Sequence, residues 1–169
     1  LKNDARAALA VAAAAGGRFI RVNVHAGAVV ADQGLVQTDA YHTLRDRRLL
    51  GAEVAIFADV GGKHAMPLVP VEIEQMARDL VHRGLADALV VSGRATGEAT
   101  PIAKVKRVRG AVPDVPLLVG SGVTSETVAE LLSVADGVIV GTSIKRDGDV
   151  RKPVDPARVE KLVAAARRR

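Results

Sequence analysis

The stretch PLLVGSGVTSET, residues 116–127, runs a short apolar strand into the bare tripeptide Gly120-Ser121-Gly122 and then toward a helix start. Shortly downstream, DGVIVGTSIK, residues 136–145, repeats the arrangement with Gly141-Thr142-Ser143. Glycine lets a backbone approach a ligand closely and turn successive N–H groups toward it. Two such strand ends in succession read as one device. They predict a phosphate cradle built from the main-chain amides of Gly120, Ser121, Gly122, Gly141, Thr142 and Ser143, helped by hydroxyls and by the positive ends of the following helices.

Outward from these ends, helix-period and strand-period segments alternate. Asp4 reads as the N-cap of an alanine-rich helix that stops at Gly16-Gly17. RFIRVNV (18–24) is a strand, 38–50 a helix closed by Gly51, and VAIFADV (54–60) a buried strand. Ile73, Met76, Ala77, Leu80 and Val81 recur at steps of three and four, which predicts an amphipathic helix over 71–83. ADALVVSG (86–93) is the next strand, and Ile102, Val105 and Val108 mark another helix. A helix carrying Val128, Leu131 and Leu132 separates the two opening stretches, and Asp155-Pro156 starts the last one. Strands thus begin near residues 18, 54, 87, 116 and 137, each followed by a helix, with no linker between units.

Apolar strands alternating with helices imply an α/β fold with a parallel sheet. Open doubly wound sheets carry their phosphate-binding glycines after the first strand, whereas eight-stranded barrels carry phosphate loops after strands seven and eight. Here the glycines follow the last two strands. The expected fold is a (β/α)8 TIM barrel, present as an N-terminally truncated portion with five βα units, strands four to eight, and 1–169 as a single partial-barrel domain without a second domain. A whole barrel takes about 250 residues, against 169 here. The start Leu1-Lys2-Asn3-Asp4, without an initiator methionine, agrees with missing front units. A barrel cut in this way exposes strand edges, so the segment by itself is expected to be inactive.

Composition narrows the function classes. A chain that is 49% hydrophobic and 25% charged buries an ordinary core. The absence of cysteine removes disulfide and thiolate-zinc chemistry and fits a reducing, cytoplasmic setting. No apolar run reaches the roughly 20 residues of a membrane span. The net charge of +5 invites a nucleic-acid reading, but basic and acidic residues are interspersed and aromatics make up only 2% of the chain. Few rings are available for base stacking, so nucleic acid is not expected as a partner.

The runs LKNDARAALAVAAAAGGRFIRVNVHAG, YHTLRDRRLLGAEVAIFADV, KHAMPL, RGLADALVVSGRATGEAT and VPLLVGSGVTSETVAELLSVADGVIVGTSIKRDG together resemble the BtpA family, also called BtpA/SgcQ. The resemblance covers nearly the whole chain. It implies a ribulose-phosphate-binding type of TIM barrel, a family named for a role in photosystem I biogenesis, and members longer at the front by three strand-helix units. No settled reaction comes with it.

Residues at the C-terminal ends of barrel strands face the active site. On that rule Asn23 and His25 end the first strand, Asp59 ends the second with Lys63 and His64 in its loop, and Ser92, Gly93, Thr96 and Gly97 follow the third. His25, Asp59, Lys63 and His64 are the catalytic candidates, and Asn23, Ser92, Gly93, Thr96 and Gly97 the substrate-binding ones. His25 could move a proton at neutral pH, or simply be a satisfied polar residue. Asp59 could orient it, act as base, hold a divalent ion or cap a loop. Lys63 lies beyond its strand and reads as an exposed cation rather than a Schiff-base lysine. His42 and His82 fall on helices and face solvent. Asp32-Gln33-Gly34 sits in a long loop, as a lid or a turn. No cofactor is expected, and no transition-metal site, since the histidines lack a close pair.

Three hypotheses stand, the last and least favoured being nucleic-acid binding, which would show a steep salt dependence of affinity. The first is a phosphate-binding barrel enzyme of lyase, isomerase or hydrolase type acting on a phosphorylated small metabolite. The second is a non-catalytic photosystem I biogenesis or stability factor at a membrane surface, which would be a peripheral association. Self-association into a homo-oligomer stays open.

Overall fold

A computed structural model of the chain describes residues 4–62, 65–93 and 98–167. Its centre is a parallel sheet of five strands, β1 (Phe19–Val22), β4 (Ala55–Val60), β6 (Ala88–Val91), β7 (Leu117–Val119) and β8 (Gly137–Val138), side by side in that order. The helices between and around them are α1 (Ala5–Ala15), α2 (Ala40–Leu49), α3 (Ile73–His82), α4 (Ile102–Ala111), α5 (Val128–Leu132) and α6 (Pro156–Ala166). All five expected strands and all six expected helices are present, and the α/β class with a parallel sheet holds.

Strand register shows which face the helices cover. Ile20 pairs with Ile56, Val22 with Ala58, Ala58 with Leu89, Leu89 with Leu117, and Val91 with Val119. These side chains share one face, and all belong to the two apolar clusters that include the helix residues Leu9, Leu80, Val105, Val108, Val128 and Leu131. The opposite face carries Phe19, Arg21, Phe57, Asp59, Val90 and Leu118, with Phe19 and Phe57 stacked at 4.5 Å between ring centroids. A sheet whose strands follow chain order and whose helices lie on one face winds in one direction only. A doubly wound sheet reverses its strand order and is covered on both faces.

Local chemistry places the ends. The Asp4 carboxylate accepts the amide of Ala7 at 2.8 Å, and Gly16 closes α1 at φ +71°. Asp155 caps α6 by accepting from Ala157, and Pro156 takes the first helical position. Beneath the strands a stitch occurs twice. Asp87, just before β6, accepts the Ile56 amide and the Arg47 guanidinium; Asp136, just before β8, accepts the Leu117 amide and the Arg109 guanidinium.

The Leu117 amide above all holds the Asp136 carboxyl below its ordinary value; burial opposes it, and Arg109 adds to the lowering. The folded pKa is then below the unfolded one, so this stabilisation is complete above about pH 3.9 and is lost as pH falls through the folded value. Asp136→Asn is expected to be less stable than the native chain at pH 7, with the gap closing below about pH 4. Urea midpoints measured across pH check it.

Of the two readings of Asp32-Gln33-Gly34, the turn holds, but the long loop expected around it does not: residues 28–37 form a hairpin of β2 (Ala28–Ala31) and β3 (Gly34–Gln37), and β5 (Ala65–Pro67) joins β2 to make a separate antiparallel sheet. Asp32-Gln33 is its two-residue turn, followed by Gly34 at φ +96°. The alternation is only four residues long on each side, too short to register as a period. Val30, Leu35 and Met66 are cross-strand neighbours and all exposed.

Candidate functional site

The inward face of the sheet ends in a polar cluster at the carboxyl rim. Asp59, the penultimate residue of β4, has a side chain only 1% exposed. Arg21 reaches it from β1 as a fork, Nε to Oδ1 at 2.9 Å and Nη2 to Oδ2 at 3.1 Å, and Asn23 Nδ2 donates to Oδ2 at 2.8 Å. Arg21 Nη2 also reaches Ser92 Oγ at 3.4 Å. A paired, hydrogen-bonded carboxylate of this kind can stay charged in a dry site.

Arg21 was not among the candidates expected from sequence. Part of the signal was present, since Arg21 and Asn23 stand two apart in the strand expected over 18–24, where alternation would turn both to one side; in the structure β1 ends at Val22 and Asn23 follows it. The same neighbourhood explains Gly120. A Cβ there would stand 2.5 Å from Ser92 Oγ, 2.6 Å from Val90 Cγ1 and 3.0 Å from Arg21 Nη2. Ser92 keeps a second tie, its carbonyl accepting from Lys104 Nζ at 2.8 Å.

The loops after β6 and β7 are laced together. Ser121 Oγ accepts the Gly93 amide at 3.1 Å, and Thr100 Oγ1 donates to the Ser121 carbonyl at 3.0 Å. Ser143 Oγ donates to the Val123 carbonyl at 2.6 Å. The hydroxyls of Ser121 and Ser143, expected to face an anion, therefore hold loops in place. Helix dipoles contribute less than expected as well: α5 has five residues, and Gly141 is followed only by two short 3-10 turns, Thr142–Ile144 and Arg146–Gly148. What remains is backbone. Gly120, Ser121, Gly122, Gly141, Thr142 and Ser143 line one cavity of about 410 Å³, together with Lys145 and Val150.

A second cavity, of about 270 Å³, lies between the end of β1, the antiparallel sheet and α3. Asn23, His25 and Asp59 line it among apolar side chains. His25 is 1% exposed, and its Nε2 lies 2.7 Å from the Gly84 carbonyl oxygen. A carbonyl can only accept, so Nε2 carries the proton and Nδ1 presents a lone pair. Nδ1 is the one buried side-chain polar atom without a hydrogen-bond partner among the described residues. Desolvation lowers the His25 pKa, outweighing the opposite pull of the Gly84 bond. The ring is therefore neutral at pH 7, and leaving Nδ1 bare costs about 1–3 kcal/mol.

The structure thus gathers Asn23, Asp59 and Ser92 around Arg21, ties Gly93 to Ser121 instead, and places His25 on the second cavity, which Asn23 and Asp59 also line. Lys63, His64, Thr96 and Gly97 lie outside the described residues. His42 and His82 are exposed on their helices. Among the described residues no group of three or more His, Asp or Glu is placed to hold a metal ion, and no helix is long and apolar enough to cross a membrane.

Comparison with known proteins places these features. The model of the BtpA family matches residues 1–168. The photosystem I biogenesis protein BtpA of Synechocystis sp. is 41% identical over 165 residues, covering 98% of this chain and 58% of that protein. The putative sgc region protein SgcQ of Escherichia coli is 37% identical, covering 95% of this chain and 60% of its own length. The chain therefore spans about three fifths of these relatives. Among solved structures, N-(5'-phosphoribosyl)anthranilate isomerase from Pyrococcus furiosus superposes with a TM-score of 0.55 at 18% identity, over 91% of this chain and 64% of that one. Such a likeness speaks for the TIM-barrel-like fold alone.

Proposed function

Since the chain belongs to the BtpA family, we propose that it forms the phosphate-binding part of a barrel enzyme acting on a phosphorylated small metabolite. One observation carries the reading: tripeptides from two successive strand ends line a single cavity. Gly120–Gly122 and Gly141–Ser143 would receive the phosphoryl group through main-chain amides, with Thr142 Oγ1 and Lys145 beside them. Strands β1, β4, β6, β7 and β8 are then strands four to eight of the barrel, and the cavity occupies the place where barrels bind phosphate. The isomerase named above, whose name specifies a 5'-phosphoribosyl compound, lends a precedent on this fold.

Asp59 is the reactive candidate. Arg21 and Asn23 orient its carboxyl group, so that as the carboxylate it could take a proton from carbon or oxygen of a ligand anchored by its phosphate. His25, neutral and hydrogen-bonded through Nε2, serves as an acceptor rather than as a cationic acid.

Inorganic phosphate and ribose 5-phosphate test the proposal in thermal-shift titrations of the full-length chain, where a ligand at a hundred times its Kd stabilises by about 2.7 kcal/mol. Gly141 offers a clean variant. A Cβ at this position meets nothing within 4 Å. Gly141→Val is expected to lower phosphate affinity at least tenfold by crowding the cavity mouth, with little change in the unliganded melting temperature. No shift with either ligand would sink the reading.

A second reading rests on the Synechocystis relative, whose name assigns it to photosystem I biogenesis. On that reading the chain is a non-catalytic factor bound peripherally at a membrane, and the exposed Val30, Leu35 and Met66 would be its contact. Membrane fractionation of the full-length protein decides between the two, a fully soluble distribution counting against the second.

A further inference from the structure

We infer that the 270 Å³ cavity beside Asp59 is a subsite for a flat apolar ring bearing a hydrogen-bond donor. On the reading that phosphate binds at the glycine ends, the ligand is then an aryl or heteroaryl compound with an N–H or O–H, joined to a phosphorylated spacer, and not a bare sugar phosphate. Three observations converge on this. The first is the wall, where Val24, Val29, Leu68, Val71, Met76 and Leu80 dominate. An apolar cavity of about 150 Å³ already accepts benzene, so this one has room for a bicyclic ring.

The second is the single unpartnered polar atom. His25 lines the cavity, its Nε2 proton is committed to Gly84, and Nδ1 has no partner. A buried acceptor in apolar surroundings selects ligands that donate to it, because any other occupant leaves it unpaired. Nδ1 is buried, so a donor reaches it only as the cavity lining yields, and the flexible Met76 belongs to that lining.

The third is the nearness of the two cavities. Asp59 lines the apolar cavity and Gly120 the glycine-lined one. Between them stands Arg21, bonded to Asp59 and within 3.0 Å of the place a Gly120 Cβ would take. A ligand anchored in both cavities would pass the Arg21–Asp59 pair with its connecting atoms, where the chemistry proposed above would occur.

The test uses indole and benzofuran, which share a shape but differ in one N–H. Amide shifts of the isotope-labelled full-length chain are followed during titration with each, and separately with inorganic phosphate. Indole is expected to move the amides of Val24, Val29, Val71 and Met76 and to bind at least fivefold more tightly than benzofuran. His25→Leu is expected to abolish that preference while keeping both ligands bound; should it not fold, N-methylindole on the native chain is expected to lose the same factor.

Shifts elsewhere, no binding, or equal affinity for indole and benzofuran would overturn the subsite, the last meaning that water satisfies Nδ1. Phosphate shifts at Gly120–Gly122 and Gly141–Ser143 report the phosphate reading independently. Indole binding without them would overturn the composite ligand.

Discussion

Replacing Gly122 by alanine is expected to cost about 3 kcal/mol or more, combining overpacking with a left-handed backbone that side chains resist. The new Cβ would stand 2.2 Å from the Glu98 carbonyl oxygen and 2.4 Å from the Ala99 Cα. Both are backbone atoms and cannot rotate away. The φ of +67° adds strain at the same position. A urea midpoint displaced to lower concentration at unchanged slope checks the prediction. A loss below about 1 kcal/mol would mean that the loops after β6 and β7 are less tightly apposed than described. The contrast with Gly141 is instructive, because one glycine is required by the neighbouring backbone and the other faces open space.

Arg21→Ala should be nearly as costly, about 3 kcal/mol, whereas Asp59→Ala should cost clearly less. The reason is an asymmetry of exposure. Asp59 has a side chain 1% exposed and Arg21 one 29% exposed. Removing the arginine takes the two-pronged ion pair away from a carboxylate that is almost fully buried, leaving Asn23 among its remaining donors. Removing the carboxylate leaves a guanidinium that water can reach. Arg21→Lys should recover only part of the loss, since an ammonium cannot reproduce the two-pronged bond to Oδ1 and Oδ2. Equal costs for Arg21→Ala and Asp59→Ala in chemical denaturation would contradict this account. Activity, if the proposed function holds, falls in both variants, so stability is the measurement that separates the roles.

The framework was readable wherever the chemistry was local. Asp4, Gly16, Asp155 and Pro156 announce helix ends because capping involves neighbours in the chain, and the structure shows these caps in place. The parallel strands were readable as apolar runs bounded by turns. Strand order and the one-sided placement of helices follow from register, which no local pattern displays. The antiparallel hairpin escaped notice because its strands are four residues long and one face is exposed.

The site was legible in a different measure. Asp59 and Asn23 were visible as polar residues at strand ends. Arg21 stood inside a strand, where a charge suggests an exposed edge unless its partner is known, and that partner is 38 residues away. The bond from His25 to Gly84 spans 59 residues, so only coordinates reveal which nitrogen is left bare. For Ser121 and Ser143 the residue types were right for binding an anion, but their hydroxyls serve the loops instead.

The aspartate stitch beneath the sheet extends beyond stability. Arg47 with Asp87 and Arg109 with Asp136 repeat one pattern with a period of two strand-helix units. Each stitch fixes how far a strand slides along its predecessor, independently of the other. The scaffold is thus keyed in interchangeable modules. A chimera that exchanges one complete module with a family member should keep its alignment, whereas a splice through the middle of a stitch should not.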